Sequence, residues 1–152
     1  MKLTAANVRE LAKRARERGE RLDLRGHDLS DLGLYKADLA GADLREADLT
    51  GVNLAHSDLS GVDLSGATLT EAELTEARLS GANLKQANLA GANLGRADLR
   101  DADLRDAHLP GADLSHADMS GADLRGARYD EYTRWSIDFD TEAAGAVFVV
   151  ST

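Results

Sequence analysis

Apolar and polar positions alternate along this chain with a period that no regular element has. From residue 22 the order is small or apolar, polar, Leu, variable, variable, first as Leu-Asp-Leu-Arg-Gly and later as Ala-Asp-Leu-Ala-Gly. Leu holds the central position at 24, 29, 34, 39 and every fifth residue to 114, followed by Met119, Leu124 and Tyr129, which makes 22 units over residues 22–131 without an insertion. On an α-helix each unit would advance the centre by a net angle of about 140°, and on a straight strand the odd spacing would alternate it between faces. A common core therefore requires a chain that bends by a constant angle per unit and coils about an axis, with its Leu residues stacked up the middle. The residue two before each centre is Ala in 16 of the 22 units, which fits a second inward position with room only for a small side chain.

The polar positions set the number of units per turn. Just after the centre, Arg25, Arg45, Lys85, Arg105 and Arg125 are separated by multiples of twenty residues, and Arg100 alone falls outside that series. Twenty residues is four units, so the pattern predicts a four-sided coil whose equivalent residues lie about 4.8 Å apart, as neighbouring strands do. The 22 units then give about 5.5 coils and a rod of roughly 26 Å.

A solenoid leaves bare core and unpaired backbone at both ends, so the flanks are expected to cap it. Residues 1–21 form the first cap: a helix over 4–18 with Thr4 as N-cap, an apolar stripe of Val8, Leu11, Ala12 and Ala15, and Gly19 as terminator. Its other face carries Arg9, Lys13, Arg14, Arg16 and Arg18, and residues 1–21 total +4. Solvated cap charge accounts for that face as well as membrane or nucleic-acid binding would. Residues 132–152 form the second cap, or a self-association surface. Trp135, Ile137, Phe139, Val147, Phe148 and Val149 are its candidate contacts, whether in a lid or in a homodimer.

Composition narrows the chemistry. Five of the six aromatic residues fall in the last 24, so Leu and Ala build the core, and the formal charge is −9. The sequence has no cysteine, which removes disulfides, thiol nucleophiles and thiolate metal sites. With no secretory signal and no apolar run near membrane-spanning length, a cytoplasmic protein is the expectation. No nucleophile elbow, phosphate loop, zinc-protease helix or calcium loop occurs, so no catalytic activity, cofactor or metal is expected. Of the four histidines, the equivalent pair His56 and His116 stands three coils apart, roughly 14 Å and too far for one ion. Asp101 and Asp103 reflect the acidic alternation that the repeat supplies everywhere, and Thr50 and Thr70 are too short a row to bind ice.

The unbroken A-(D/N)-L-x-x tandem resembles the pentapeptide-repeat family over 110 of the 152 residues. The resemblance implies an all-β solenoid, a right-handed quadrilateral parallel β-helix with the centre and small residue inward. His27 and Ser57 depart from the pattern at the small position, and Gly33, Thr68, Glu73, Arg78, His108 and Arg128 at the Asp/Asn position. The spacing of Thr133, Trp135, Phe139, Asp140 and Gly145 is similar to a closing segment that follows many such solenoids.

Charge then supplies the candidate faces. Numbered from the unit centred on Leu24, the four sides carry net charges of −2, −5, −1 and −3. The first pairs Asp23, Asp43, Asp63, Asp103 and Asp123 with the basic row and neutralises itself. The candidate acidic partner face comprises Asp38, Asp58, Asp98 and Asp118 on the fourth side, interrupted by Arg78, and Asp28, Asp31, Asp48 and Glu71 on the second. The reading that demands least is a non-catalytic scaffold offering flat acidic faces to a protein partner, with no direct contact to nucleic acid or membrane. The resemblance implies a second, a DNA mimic in the groove of a type II topoisomerase such as gyrase. An engineered or consensus-like repeat without an evolved partner is the third.

Overall fold

A computed structural model describes residues 2–152; Met1, the first residue of the expected cap, lies outside the described residues. Parallel β-bridges join residues twenty apart on four sides, opening with Asp23–Asp43, Asp28–Asp48, Gly33–Asn53 and Asp38–Asp58 and ending at that spacing with His108–Arg128. Each side contributes one bridge per coil because the chain turns a corner every five residues. The centres Leu24 to Leu114 are at most 2% exposed, and the alanines two residues before them, from Ala37 to Ala112, are buried beside them. Tyr129, the last centre, is only half-buried against this core.

Hydrogen bonding explains why five residues suffice. In residues 63–67, Asp63 N–H donates back to Ala42 O (3.0 Å), Leu64 N–H forward to Asn83 O (2.7 Å), Gly66 N–H forward to Lys85 O (3.0 Å), and Ala67 N–H across the corner to Leu64 O (3.0 Å). One main-chain donor remains, Ser65 N–H, and the Asp63 carboxylate accepts it at 3.0 Å. A buried or half-buried N–H without an acceptor is costly, so the repeat keeps Asp or Asn before the centre. Where His108 replaces it, the residue needing the acceptor is Pro110, which has no N–H.

Every residue two past a centre, from Gly26 to Gly126, is left-handed: ten are glycines, and eleven others hold φ between 55° and 60°. Such a backbone costs a side-chain-bearing residue on the order of 1 kcal/mol or more. Of the two departures at the small position, His27 is exposed, whereas Ser57 is fully buried. Ser57 Oγ accepts from Ala37 N–H at 3.0 Å and donates to Leu34 O at 2.8 Å, so the inward hydroxyl is satisfied.

Helix α1 (Ala5–Arg18) covers the opening coil. Thr4 forms a capping box with Asn7, and Gly19, left-handed at φ 65°, closes the helix. Val8 and Ala12 are buried under it, but Leu11 is 37% exposed and leaves the expected stripe. Leu11 faces sideways because the helix rests on the line of Val8 and Ala12, with Ala5 and Leu3 beside it. Arg9 and Arg16 also leave the free face, donating to Tyr35 O (2.9 Å) and Asp38 O (3.1 Å) of the first coil.

At the other end the register breaks. Asp113 pairs with Arg134, one residue beyond the twenty-residue step, and β1 (Arg128–Tyr129) pairs in parallel with β2 (Val147–Phe148), one residue short of it. The buried Asp130 carboxylate accepts from Gly111 N–H (2.9 Å) and Tyr132 N–H (3.0 Å) and marks the change. Trp135 stacks on Phe139 at 5.1 Å and meets Tyr129 edge-on at 5.3 Å, closing the core.

Candidate functional site

The same carboxylates that carry the charge also close the corners, and this decides which of them are free. On the first side Arg25, Arg45, Arg105 and Arg125 fold back in bidentate pairs onto Asp23, Asp43, Asp103 and Asp123. The Arg125 hydrogen bonds hold Asp123 down to about 2, and Arg105 lowers Asp103 in the same way against a smaller opposing effect of burial. Asp43, nearly buried, gathers Arg45 at 2.6 Å with Arg21 and Arg25 each at 3.6 Å. This side neutralises itself, as its sequence indicates.

The fourth side is not the bare acidic row that its sequence suggests. Arg16 of the helix reaches Asp38 (3.5 Å), Arg78 reaches Asp58 (3.4 Å), and Arg100 clamps Asp98 (2.7 Å) and stands 4.0 Å from Asp118. Asp58 and Asp118 also accept the hydroxyls of Ser60 and Ser120, at 2.7 Å each. A count by side misses Arg16, because that residue arrives from another element.

The second side keeps its charge. Asp28 meets Lys2 at 3.3 Å and Ser30 at 2.6 Å. Asp48 accepts from Thr50 N–H (3.0 Å) and its hydroxyl (2.7 Å), and among the described residues no cation pairs with it. Asp31 and Glu71 occupy left-handed corners and lie over Gly51 and Gly91 of the next coil, which leave the space that a Cβ would fill. Asp31, Asp48 and Glu71 have no salt bridge among the described residues and form the acidic face that the fold leaves open.

The terminal candidates separate into two groups. Trp135 and Phe139 pack against the core, and Val149 is half-buried, its N–H donating to Tyr129 O at 2.8 Å. Ile137, Val147 and Phe148 are 84%, 46% and 53% exposed, as is Val150 beside them. Among the described residues no three His, Cys, Asp or Glu side chains come together as a metal site, and no helix is long and apolar enough to cross a membrane.

Comparison with known proteins agrees with this geometry. The family model described as pentapeptide repeats matches in 8 copies over residues 20–51, 47–86 and 87–126. The crystal structure of a pentapeptide repeat protein, Rfr23, from the cyanobacterium Cyanothece 51142 is similar at 32% identity and a TM-score of 0.74, covering 74% of this chain and 90% of that one. Another from Nostoc Pcc 7120 is 30% identical over 96% of each chain, with a TM-score of 0.49. The plasmid-mediated fluoroquinolone resistance protein QnrB1 aligns over 84% of this chain and 82% of its own at 18% identity and a TM-score of 0.40, a likeness too low to carry function across. No curated protein matches the chain.

Proposed function

Since the chain belongs to the pentapeptide-repeat family, whose members coil as right-handed quadrilateral β-helices, we propose that it is a non-catalytic scaffold, a rod of about 5.5 coils that docks a basic protein surface on its second side. The observation that carries the reading is the difference between sides. On the first and fourth sides every carboxylate in the row before the centres has an Arg within 4.0 Å, and only the corner residues Glu46, Asp106 and Asp101 are unpaired among the described residues, whereas on the second side Asp48 of the row is unpaired together with the corner residues Asp31 and Glu71. A stiff backbone holds such charges at fixed intervals without an ordering cost on binding.

A DNA mimic needs long uninterrupted carboxylate rows to stand in for phosphates. Here Arg16, Arg78 and Arg100 interrupt the fourth side. The discriminating experiment is a gyrase supercoiling assay with the protein in excess, at low and moderate salt. The scaffold reading expects supercoiling to proceed unchanged. Salt-sensitive inhibition that disappears when Asp31, Asp48 and Glu71 are neutralised would overturn it in favour of mimicry.

A further inference from the structure

The left-handed corners are not filled at random. On the corner line after the fourth side, Gly41, Gly61 and Gly81 precede Asp101 and Gly121, and the two lines after the first and second sides also mix glycine with other residues. On the line after the third side every position bears a side chain: Lys36, His56, Glu76, Arg96 and His116, with φ between 55° and 60°. Elsewhere Asp31, Glu71, Asp101 and Asp106 lie over a glycine of the next coil. The third line offers no such space, and all five of its side chains are exposed. Only one ion pair lies within it, His56 Nδ1 to Glu76 Oε2 at 3.4 Å. Lys36 stands 5.3 Å from the Tyr35 ring, and neither Lys36 nor Arg96 has a salt bridge among the described residues.

This line ends in a crevice of about 230 Å³ between α1 and the first coil, lined by Arg9, Arg16, Lys36 and Asp38, with Ala12, Ala37 and Leu39 as its floor. Arg9 and Arg16 are each fixed by a carbonyl of the coil, Tyr35 O and Asp38 O, and Arg16 also meets Asp38 Oδ2 at 3.5 Å. Three cations against one carboxylate make the crevice positive on a chain of net charge −9. Guanidinium groups already held in place by main chain bind a carboxylate without further ordering.

We propose that the crevice and the third corner line together bind an acidic, extended segment of a partner protein. One carboxylate of the segment sits among Arg9, Arg16 and Lys36, the segment passes His56 and Glu76 with uncharged residues, and a second carboxylate meets Arg96 before the segment ends at His116. From Lys36 to His116 is four coils, roughly 19 Å, the length of about six extended residues. A nucleic acid, charged at every step, would set a phosphate against Glu76 in the middle of the line, whereas a peptide can leave that step uncharged. This site is separate from the acidic second side and does not depend on it.

The test is fluorescence anisotropy of a labelled Glu-Ser-Ser-Ser-Glu-Ser peptide titrated with the full chain, beside the double variant Lys36→Gly and Arg96→Gly. Glycine removes each charge and also relieves the left-handed backbone, so the variant keeps its fold and gains thermal stability. Binding that weakens at least tenfold in this variant, and persists when Asp31, Asp48 and Glu71 are neutralised, is the expected result. No binding, binding indifferent to the double variant, competition by inorganic phosphate at the same concentration as the peptide, or tighter binding of a six-nucleotide single strand would each overturn the proposal.

Discussion

Asp113 accepts the main-chain N–H of Ser115 at 2.9 Å, a donor that no carbonyl of a neighbouring coil accepts. The acidity of this chain is therefore in large part a by-product of its folding: the repeat needs an acceptor at each corner, and Asp supplies one together with a charge. Asn does the same without it, as Asn83, Asn88 and Asn93 do for Lys85, Ala90 and Gly95.

Asp113→Asn is accordingly expected to leave stability almost unchanged, and Asp113→Ala to cost about 0.5–2 kcal/mol, the range for losing a side-chain cap on a backbone N–H. Urea unfolding of the two variants checks this. Equal losses in both would mean that charge, not the acceptor, is what the position contributes.

Gln86 and Gly111 occupy equivalent left-handed corners, at φ 59° and 66°. Gln86→Gly should stabilise the rod by about 1 kcal/mol and Gly111→Ala destabilise it by a similar amount. A Cβ at Gly111 meets nothing closer than 3.9 Å, so backbone strain alone is measured there. Thermal melts that move in opposite directions are the expected outcome.

Much of the architecture is legible in the sequence because it is periodic. The spacing of Leu24 to Leu114 gives the inward line, and the recurrence of Arg25, Arg45, Lys85, Arg105 and Arg125 gives the four-sided turn that the Asp23–Asp43 bridge displays. What periodicity cannot give is contact between the repeat and what lies outside it. Arg16 neutralising Asp38, Leu11 turning from the helix stripe, and the step from Asp113 to Arg134 all depend on how a non-repeating cap settles on the coil. Charges summed side by side overstate the fourth face for the same reason, and for a second: Asp58 and Asp98 turn back to their own corners.

The paired aspartates set the response to acid. Asp103 and Asp98 are held below the ordinary carboxylate value of 3.8 by Arg105 and Arg100, and Asp123 is lowered to about 2 by Arg125. Groups lowered by folding contribute stability above their unfolded value and lose it as pH falls through the folded one. Stability should therefore be level down to about pH 4 and decline from there towards pH 2, read as the melting temperature at constant ionic strength. A decline already under way well above pH 4 would contradict this assignment to the paired aspartates.

Ile137, 84% exposed at the closing end, is the residue that separates the two readings of the closing segment, a lid or an end-to-end contact between two copies. The end-to-end contact predicts a dimer by light scattering for the native chain and a monomer for Ile137→Lys. A native monomer at high concentration would remove this expectation while leaving Trp135 and Phe139 as the lid.

The most direct measurement is the binding of a labelled oligolysine peptide to two variants of equal charge change. One carries Asp31→Gly, Asp48→Asn and Glu71→Gly, and the other Asp58→Asn, Asp98→Asn and Asp118→Asn; each keeps its corner acceptors or relieves a left-handed corner. Loss of binding in the first with retention in the second is the result that open carboxylates on the second side predict. The reverse pattern, or equal loss in both, would contradict the assignment of the second side as the docking face.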